Sequence, residues 1–263
     1  MNRIDALFGD LRARGRKALV GYLTAGDPDL EASERDIRAA LAAGLDVLEL
    51  GVPFSDPTAD GPVIQAASHR ALAAGTNLDA VFALVRRLRR DCTAPIVLFG
   101  YANPLFRRGY ERACAEAAAC GADGLLVVDL PHEMAGELES HAARQGLCRI
   151  PLIAPTTPTA RAREILTGAR GFVYYIMVRG VTGARDGVAE DLGRRVAELR
   201  SVTALPIAAG FGVAARAQAE AVARVADAVV AGSALVAAAR EGRLTERVME
   251  LKAGVDAAGD AAR

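Results

Sequence analysis

The sequence predicts an α/β fold, a single (β/α)8 TIM barrel with an extra N-terminal helix. Its 263 residues suffice for one such barrel, and short apolar runs alternate with longer segments that carry apolar residues at helical spacing. No Ser/Pro-rich linker interrupts this array, so we expect residues 1–263 to form one domain. The eight runs predicted as strands are 18–24, 47–51, 95–101, 124–129, 148–154, 171–177, 205–209 and 228–231.

Several of these runs are nearly continuous in Val, Ile and Leu, as parallel strands covered on both faces usually are. The segments between them are long enough for crossover helices. The clearest helical patterns are 31–43, 78–90, 111–119 and 191–200, which we expect to pack outside the barrel. Residues 2–14 form a further helical pattern, which either closes the bottom of the barrel or is only loosely attached.

Composition narrows the classes of function. The chain is 52% hydrophobic and 24% charged, which indicates a globular protein, and its 32 basic residues balance 32 acidic ones, which disfavours nucleic-acid binding through a basic patch. The first residues lack the apolar core of a signal peptide, and no run reaches membrane-spanning length. We therefore expect a cytoplasmic protein, with no membrane partner and with its four cysteines reduced.

Two carboxylates follow or end the second predicted strand, where the reactive residues of such barrels lie. Glu49 stands among apolar residues, where a charge is costly unless it faces a polar cavity or is paired. It is therefore either a general acid with a raised pKa or a salt-bridge partner. Asp60 precedes Gly-Pro and could equally be a turn or helix-capping residue.

Glycine turns follow the seventh and eighth predicted strands. Gly210-Phe-Gly212 and Gly232-Ser233 stand where barrels commonly bind phosphate through backbone N–H groups and a helix N-terminus. The alternative is that small residues there only allow tight turns. The segment 180–183 follows the sixth strand and is either a loop that closes over a ligand or a flexible surface loop. Together these features suggest a small phosphorylated substrate.

The residues that are scarce narrow the chemistry further. The chain has two lysines, of which Lys17 precedes the first strand and Lys252 lies in the last helical pattern, so a Schiff base is disfavoured. Of the three histidines only His132 closely follows a strand, so no catalytic metal is expected. Carboxylate acid/base chemistry remains.

The longest motif resembles the signature of tryptophan synthase α subunits; it reads Leu48-Glu-Leu-Gly-Val-Pro-Phe-Ser-Asp-Pro-Thr-Ala-Asp-Gly-Pro-Val-Ile-Gln65. Further matches occur in order at 24–28, 100–104, 129–131, 171–174, 180–183, 210–212 and 232–233, so the resemblance covers nearly the whole chain. It implies a carbon–carbon lyase of L-tryptophan biosynthesis that converts indole-3-glycerol phosphate to indole and glyceraldehyde 3-phosphate.

The resemblance also implies roles for particular residues. Glu49 would act as general acid and base at the indole C3 and the glycerol hydroxyl, Asp60 would accept a hydrogen bond from the indole N–H, and Tyr174 would lie beside Glu49. Protonation of C3 would give the substrate its own iminium, which explains the lack of a cavity lysine. The residues implied for phosphate binding are Gly183, Gly212, Gly232 and Ser233. Thr182 would meet Asp60 when the loop closes, and Phe211 would lie near the glycerol chain. Tyr22 and Leu98 would line the indole pocket, unless they are ordinary barrel packing.

The same family implies no cofactor and no metal in this chain, because the pyridoxal phosphate belongs to a β subunit in an α2β2 complex. Residues 54–57 would contact that partner, unless they form a solvent-exposed loop. Met134, Met177 and Arg179 depart from the common family pattern, and Met177 replaces a hydroxyl that could affect loop closure. Two alternatives stay open: a partner-independent lyase, and a non-catalytic phosphate-binding barrel that regulates a partner.

Overall fold

The computed structural model describes residues 2–177, 185–210 and 212–260, with the backbone alone for 185–190 and 260. Within these ranges parallel strands form one sheet in the order β5-β4-β3-β2-β1-β9-β8-β7-β6. The strands are β1 (Ala18–Thr24), β2 (Val47–Gly51), β3 (Ile96–Gly100), β4 (Gly124–Val127), β5 (Cys148–Arg149), β6 (Leu152–Ile153), β7 (Val173–Ile176), β8 (Ile207–Gly210) and β9 (Ala228–Ala231).

The strands β5 and β6 occupy the segment that the sequence predicts as one strand, 148–154, and this prediction of an unbroken strand is wrong. Pro151 interrupts it because proline has no N–H to donate to the ladder. The neighbours still pair across the break. The Ile150 N–H donates to the Leu125 carbonyl at 2.9 Å, and the Tyr174 N–H donates to the Pro151 carbonyl at 2.9 Å. The two short strands thus together take the place of the fifth strand in a closed eight-stranded barrel.

Helices surround this barrel. In the described ranges they are α1 (Arg3–Ala13), α2 (Leu30–Ala42), α3 (Pro62–Ala73), α4 (Leu78–Leu88), α5 (Ala102–Arg108), α6 (Tyr110–Cys120), α7 (Gly136–Arg144), α8 (Thr159–Leu166), α9 (Arg185–Arg200), α10 (Arg216–Ala223), α11 (Ser233–Arg240) and α12 (Leu244–Asp260), with a 3-10 turn at His132–Met134. Among them, none is both long and apolar enough to cross a membrane.

The strands alternate between two apolar layers, because successive side chains point to opposite faces of a sheet. On β1, Leu19 and Leu23 lie in the outer layer against the helices, whereas Val20 points into the barrel. The inner layer fills the lower part of the barrel, and it comprises Ile4, Phe8, Leu11, Ala18, Val20, Val47, Val97, Leu126, Cys148, Ile150, Phe172, Ala208, Ala228 and Val230. The upper part is left for the residues at the carboxyl ends of the strands.

The extra helix α1 closes the bottom of the barrel. Asn2 caps it by accepting from the Ile4 N–H, and Ile4, Phe8 and Leu11 are buried in the inner layer. Phe8 packs on Phe172 with ring centroids 5.7 Å apart. The Asn2 amide also donates to the carbonyl of Asp123 at 2.9 Å. The interpretation as a closing helix is therefore confirmed over that of a loosely attached one.

Candidate active site

Glu49 is the buried carboxylate of the upper barrel. It lies on β2 between Tyr22 of β1 and Val97 of β3 in the strand register, and its side chain is fully buried. Neither carboxylate oxygen has a hydrogen-bond partner among the described residues, so the salt-bridge alternative finds no support there. Burial disfavours the charged form and raises the pKa of Glu49 to about 8. The group is therefore protonated at neutral pH and can act as an acid.

Asp60 is held by a side chain from the next strand end. The Tyr101 hydroxyl donates to Asp60 Oδ2 at 2.9 Å and accepts from the Ala59 N–H at 3.0 Å. Gly61, and not Asp60, is the N-cap of α3, and it makes no side-chain cap bond, so the helix-capping reading of Asp60 is not supported. Burial raises the pKa of Asp60, and the hydrogen bond from Tyr101 opposes that rise.

An apolar wall stands beside these carboxylates. The ring of Tyr22 meets the ring of Phe99 edge-on, with centroids 5.1 Å apart. Tyr22 also packs with Ile64 of α3 and Val236 of α11. Glycine at position 51 makes room for Tyr22, because a Cβ there would come within 2.2 Å of the Tyr22 hydroxyl. A flat apolar group could pack against this wall.

Tyr174 is the site residue from the second half of the barrel. It lies on β7 beside Ala208 of β8 and is partly buried. Its pKa is raised first by burial and then by the negative charges of Glu49 and Asp60. Tyr22 responds to the same two charges, although burial is again the main cause of its raised pKa. The two tyrosines and the two carboxylates therefore lie near one another at the top of the barrel.

The glycine turns follow β8 and β9, at the same end of the barrel. At Gly210, which ends β8, a Cβ would come within 2.3 Å of the Val230 carbonyl, so that position needs glycine for packing. Gly212 has a left-handed φ of 74° with open space around it. Gly232 precedes α11, which begins at Ser233, and a Cβ on it would contact Tyr22 and Ile64 at 3.6 and 3.8 Å. The helix N-terminus thus adjoins the apolar wall.

Both lysines lie at the opposite end of the barrel. Lys17 pairs with Asp227 just before β9 at 3.7 Å, and Lys252 pairs with Asp46 just before β2 at 2.7 Å. Because these aspartates precede their strands, neither ammonium group reaches Glu49. In the described part of the chain, no cluster of three or more His, Cys, Asp or Glu side chains could hold a metal ion.

Comparison with known proteins decides the family. The family model described as tryptophan synthase alpha chain matches residues 8–259. The chain belongs to this family. It is 51% identical over 236 residues to the tryptophan synthase alpha chain of Geobacter sulfurreducens, covering 90% of this chain and 89% of that protein. It is 48% identical over 264 residues to that of Geotalea daltonii, covering 98% and 100%.

Solved structures agree with this assignment. The structure of Mycobacterium tuberculosis tryptophan synthase contains a chain that is 37% identical, with a TM-score of 0.90, covering 97% of this chain and 99% of that one. The family's α chain is a lyase that cleaves indole-3-glycerol phosphate in tryptophan biosynthesis and pairs with a β subunit. The α chain carries no cofactor, since the pyridoxal phosphate belongs to the β subunit. The family, the fold and the activity expected from the sequence are thereby confirmed.

The structure brings five of the predicted site residues together. Tyr22, Glu49, Asp60 and Tyr174 lie near one another, and Gly232 adjoins Tyr22. Thr182, Gly183 and Phe211, together with Arg179, lie outside the described residues. Met177 is buried in the outer layer, behind the sheet.

Leu98 is the exception, and its assignment to the indole pocket is wrong. Its side chain lies in the outer layer, against the helices, whereas its neighbour Phe99 contacts Tyr22 on the inner side. The physical reason is the two-residue period of a strand, since a shift of one position moves a side chain to the other face. Reading β3 in step with Glu49, which pairs with Val97, would have selected Phe99.

Sequence reasoning also missed Tyr101, Ile64 and Val236. Tyr101 lies within the quoted 100–104 match, but nothing in its sequence context shows which side chain its hydroxyl meets. Ile64 and Val236 come from the first turns of α3 and α11, at the positions where those helices approach the barrel mouth. Their apolar character alone does not distinguish them from helix residues that pack against the sheet.

Proposed function

We propose that Glu49 is the general acid and base of indole-3-glycerol phosphate cleavage in this chain. The observation that carries this proposal is a fully buried carboxyl group without a hydrogen-bond partner among the described residues and with its pKa raised to about 8. A carboxyl group that keeps its proton at neutral pH can give it to carbon, and the resulting carboxylate can then accept a proton from a hydroxyl.

The proposed reaction has two proton transfers. Glu49 donates its proton to C3 of the indole, which forms an indolenine with a C=N+ bond. The Glu49 carboxylate then takes the proton of the glycerol hydroxyl on the carbon attached to C3. That oxygen forms the aldehyde, the bond between the two carbons breaks, and its electron pair restores the aromatic indole. Glu49 ends protonated, so the proton count balances.

Asp60 has the complementary proposed role. Its free carboxylate oxygen accepts the indole N–H, and the negative charge stabilises the positive charge that develops on nitrogen. Tyr174 lines the site beside Glu49. Tyr22 and Phe99 form the apolar wall for the indole ring, with Phe99 taking the place first given to Leu98.

The phosphate has its proposed site at the glycine turns. The helix α11 begins at Ser233, directly after Gly232, and a Cβ on Gly232 would lie 3.6 Å from Tyr22, so this helix N-terminus adjoins the apolar wall. A helix N-terminus favours an anion. Gly212 and Gly183 complete this proposed site, Thr182 would meet Asp60, and Phe211 would lie near the glycerol chain.

Glu49→Gln tests the proposed mechanism. We expect the turnover number for indole release to fall by about 10²- to 10⁴-fold, the usual contribution of general acid–base catalysis, while substrate binding changes little. In the native chain kcat/KM should fall above a pH of about 8, where Glu49 loses its proton. Glu111→Gln, the same change at an exposed position of α6, is the matched control. Unchanged turnover in Glu49→Gln would remove this mechanism.

The partner contact and the place of action are further parts of the proposal. We propose an α2β2 complex in the cytoplasm, with residues 54–57 at the interface. Ser55 and Asp56 are exposed, and Phe54 is partly buried against Tyr101, so this segment offers polar groups to a partner from a supported loop. Size-exclusion chromatography with a β subunit, compared between the native chain and Asp56→Ala, tests it. Weaker complex formation supports the contact, and an unchanged affinity contradicts it.

A further inference from the structure

We propose that Tyr101 is a positioning residue for Asp60, and that it ties the direction of this carboxylate to the loop at residues 52–61. The inference rests on the proposed role of Asp60. Tyr101 follows β3 as the N-cap of α5, and its side chain is 4% exposed. Buried at a strand end, it is anchored in the barrel and not in the loop that it contacts.

The hydroxyl group of Tyr101 both accepts and donates a hydrogen bond. Its oxygen accepts from the Ala59 N–H at 3.0 Å, and an N–H can only donate. Its single proton is therefore free to point at Asp60 Oδ2, at 2.9 Å. Asp60 Oδ1 accepts no hydrogen bond from the residues that the structure describes. One oxygen is thus held by Tyr101, and the other is left for the indole N–H.

The ring of Tyr101 makes a separate contact with the same loop. It stacks on Phe54, with centroids 4.9 Å apart and planes 29° apart. Phe54 begins the segment proposed to contact the β subunit, and Ala59 and Asp60 lie at the other end of the loop. A displacement of the loop by a partner would therefore be resisted at two points by one side chain.

The loop backbone has its own support, independent of the tyrosine hydroxyl. The Gln65 amide of α3 donates to the carbonyl of Asp60 at 2.9 Å and to that of Pro57 at 3.3 Å. The Asp60 N–H donates to the Pro57 carbonyl at 3.1 Å. Removing the hydroxyl alone should therefore leave the loop in place and free the carboxylate to rotate.

Tyr101→Phe makes that change, because phenylalanine keeps the ring on Phe54 and lacks the hydroxyl. We expect kcat/KM for indole release to fall about tenfold, as for the loss of one orienting hydrogen bond to a charged group. The loss should appear in kcat more than in KM, because Asp60 acts on charge that develops during the reaction. In the native chain the hydrogen bond from Tyr101 lowers the pKa of Asp60. Its loss should raise that pKa, so the acidic limb of the pH profile should move to higher pH.

A control variant and a double-mutant cycle separate an effect through Asp60 from other effects of the Tyr101 substitution. Tyr110→Phe is the matched control, because Tyr110 is also buried and packs its ring on another phenylalanine, Phe106. Each variant is measured in the full chain with the β subunit, with urea unfolding to confirm the fold. The same Tyr101→Phe change is then made in an Asp60→Asn chain, in a double-mutant cycle.

The inference is supported if Tyr101→Phe lowers kcat/KM and shifts the acidic limb in the native background but adds little to Asp60→Asn. It is overturned if Tyr101→Phe matches the native chain while Asp60→Asn loses activity, and the proposed role of Asp60 then stands. An equal loss in both backgrounds also overturns it, because Tyr101 would then act without Asp60. Full activity of Asp60→Asn would instead reject the proposed function of Asp60, and the inference with it.

Discussion

Replacing Glu49 by glutamine should change how the stability of the folded chain depends on pH. The pKa of this carboxyl group is raised by burial from 4.5 to about 8. Between these two values the unfolded chain has lost a proton that the folded chain still binds. The folded state therefore loses stability as pH rises from the lower value, and the loss is complete once the folded pKa has been passed.

The size of this loss follows from the two pKa values. For a single group the linkage relation gives about 1.4 kcal/mol per pH unit within that window, which amounts to about 3–4 kcal/mol between about pH 5 and pH 8. Glutamine has nearly the same shape and does not titrate, so the variant lacks this component. The difference in unfolding free energy between Glu49→Gln and the native chain should therefore grow by about this amount from about pH 5 to pH 8. Any effect of the amide that does not depend on pH adds the same constant at both ends of this interval.

Urea unfolding at about pH 5, 6.5 and 8 measures the effect, with an intermediate included in the fit where the transition is not two-state. Glu111→Gln, the same substitution at an exposed position, is again the control. If the curves of the native chain and Glu49→Gln also run parallel, the carboxyl group is not held protonated by burial. The reasoning that makes it a proton donor would then fail.

Two further predictions concern the apolar wall. Gly51→Ala should lower the free energy of unfolding by about 1–3 kcal/mol and raise KM, because the new Cβ would lie 2.2 Å from the Tyr22 hydroxyl. Urea unfolding and kinetics measure these effects, with Gly9→Ala as the control, because a Cβ at Gly9 would enter open space. Native values for Gly51→Ala would contradict the contact. Leu98→Ala should cost about 2–5 kcal/mol of stability with KM almost unchanged. Phe99→Ala should instead raise KM severalfold, and the reverse pattern would restore Leu98 to the pocket.

Much of the barrel could be predicted from periodicity. The alternation of short apolar runs with helical patterns located every strand within two residues at each end, apart from the break in the fifth. That break was predictable in principle, because Pro151 removes a ladder donor, yet a hydrogen bond to β4 and one from β7 keep the barrel closed across it. Glu49 was also accessible to sequence reasoning, since a charge in an apolar strand requires an explanation.

The pairing of side chains from distant segments was not accessible in this way. Leu98 and Phe99 are both apolar neighbours on one strand, and only their register against β2 shows which of them faces Glu49. Tyr101 and Asp60 are separated by 41 residues and meet because parallel strands bring their carboxyl ends to one edge. No local pattern encodes that meeting.

The sequence by itself therefore determined the fold class, the end of the barrel that carries the chemistry, and the carboxylate whose position required a function. It did so because backbone periodicity, glycine turns and the energetic penalty of an isolated charge are local properties. Only the tertiary structure decided that Glu49 is fully buried without a partner among the described residues, that Phe99 and not Leu98 faces the inside of the barrel, and that Tyr101 holds Asp60. These depend on which side chains converge when the sheet closes, and desolvation and hydrogen bonding arise only from that convergence.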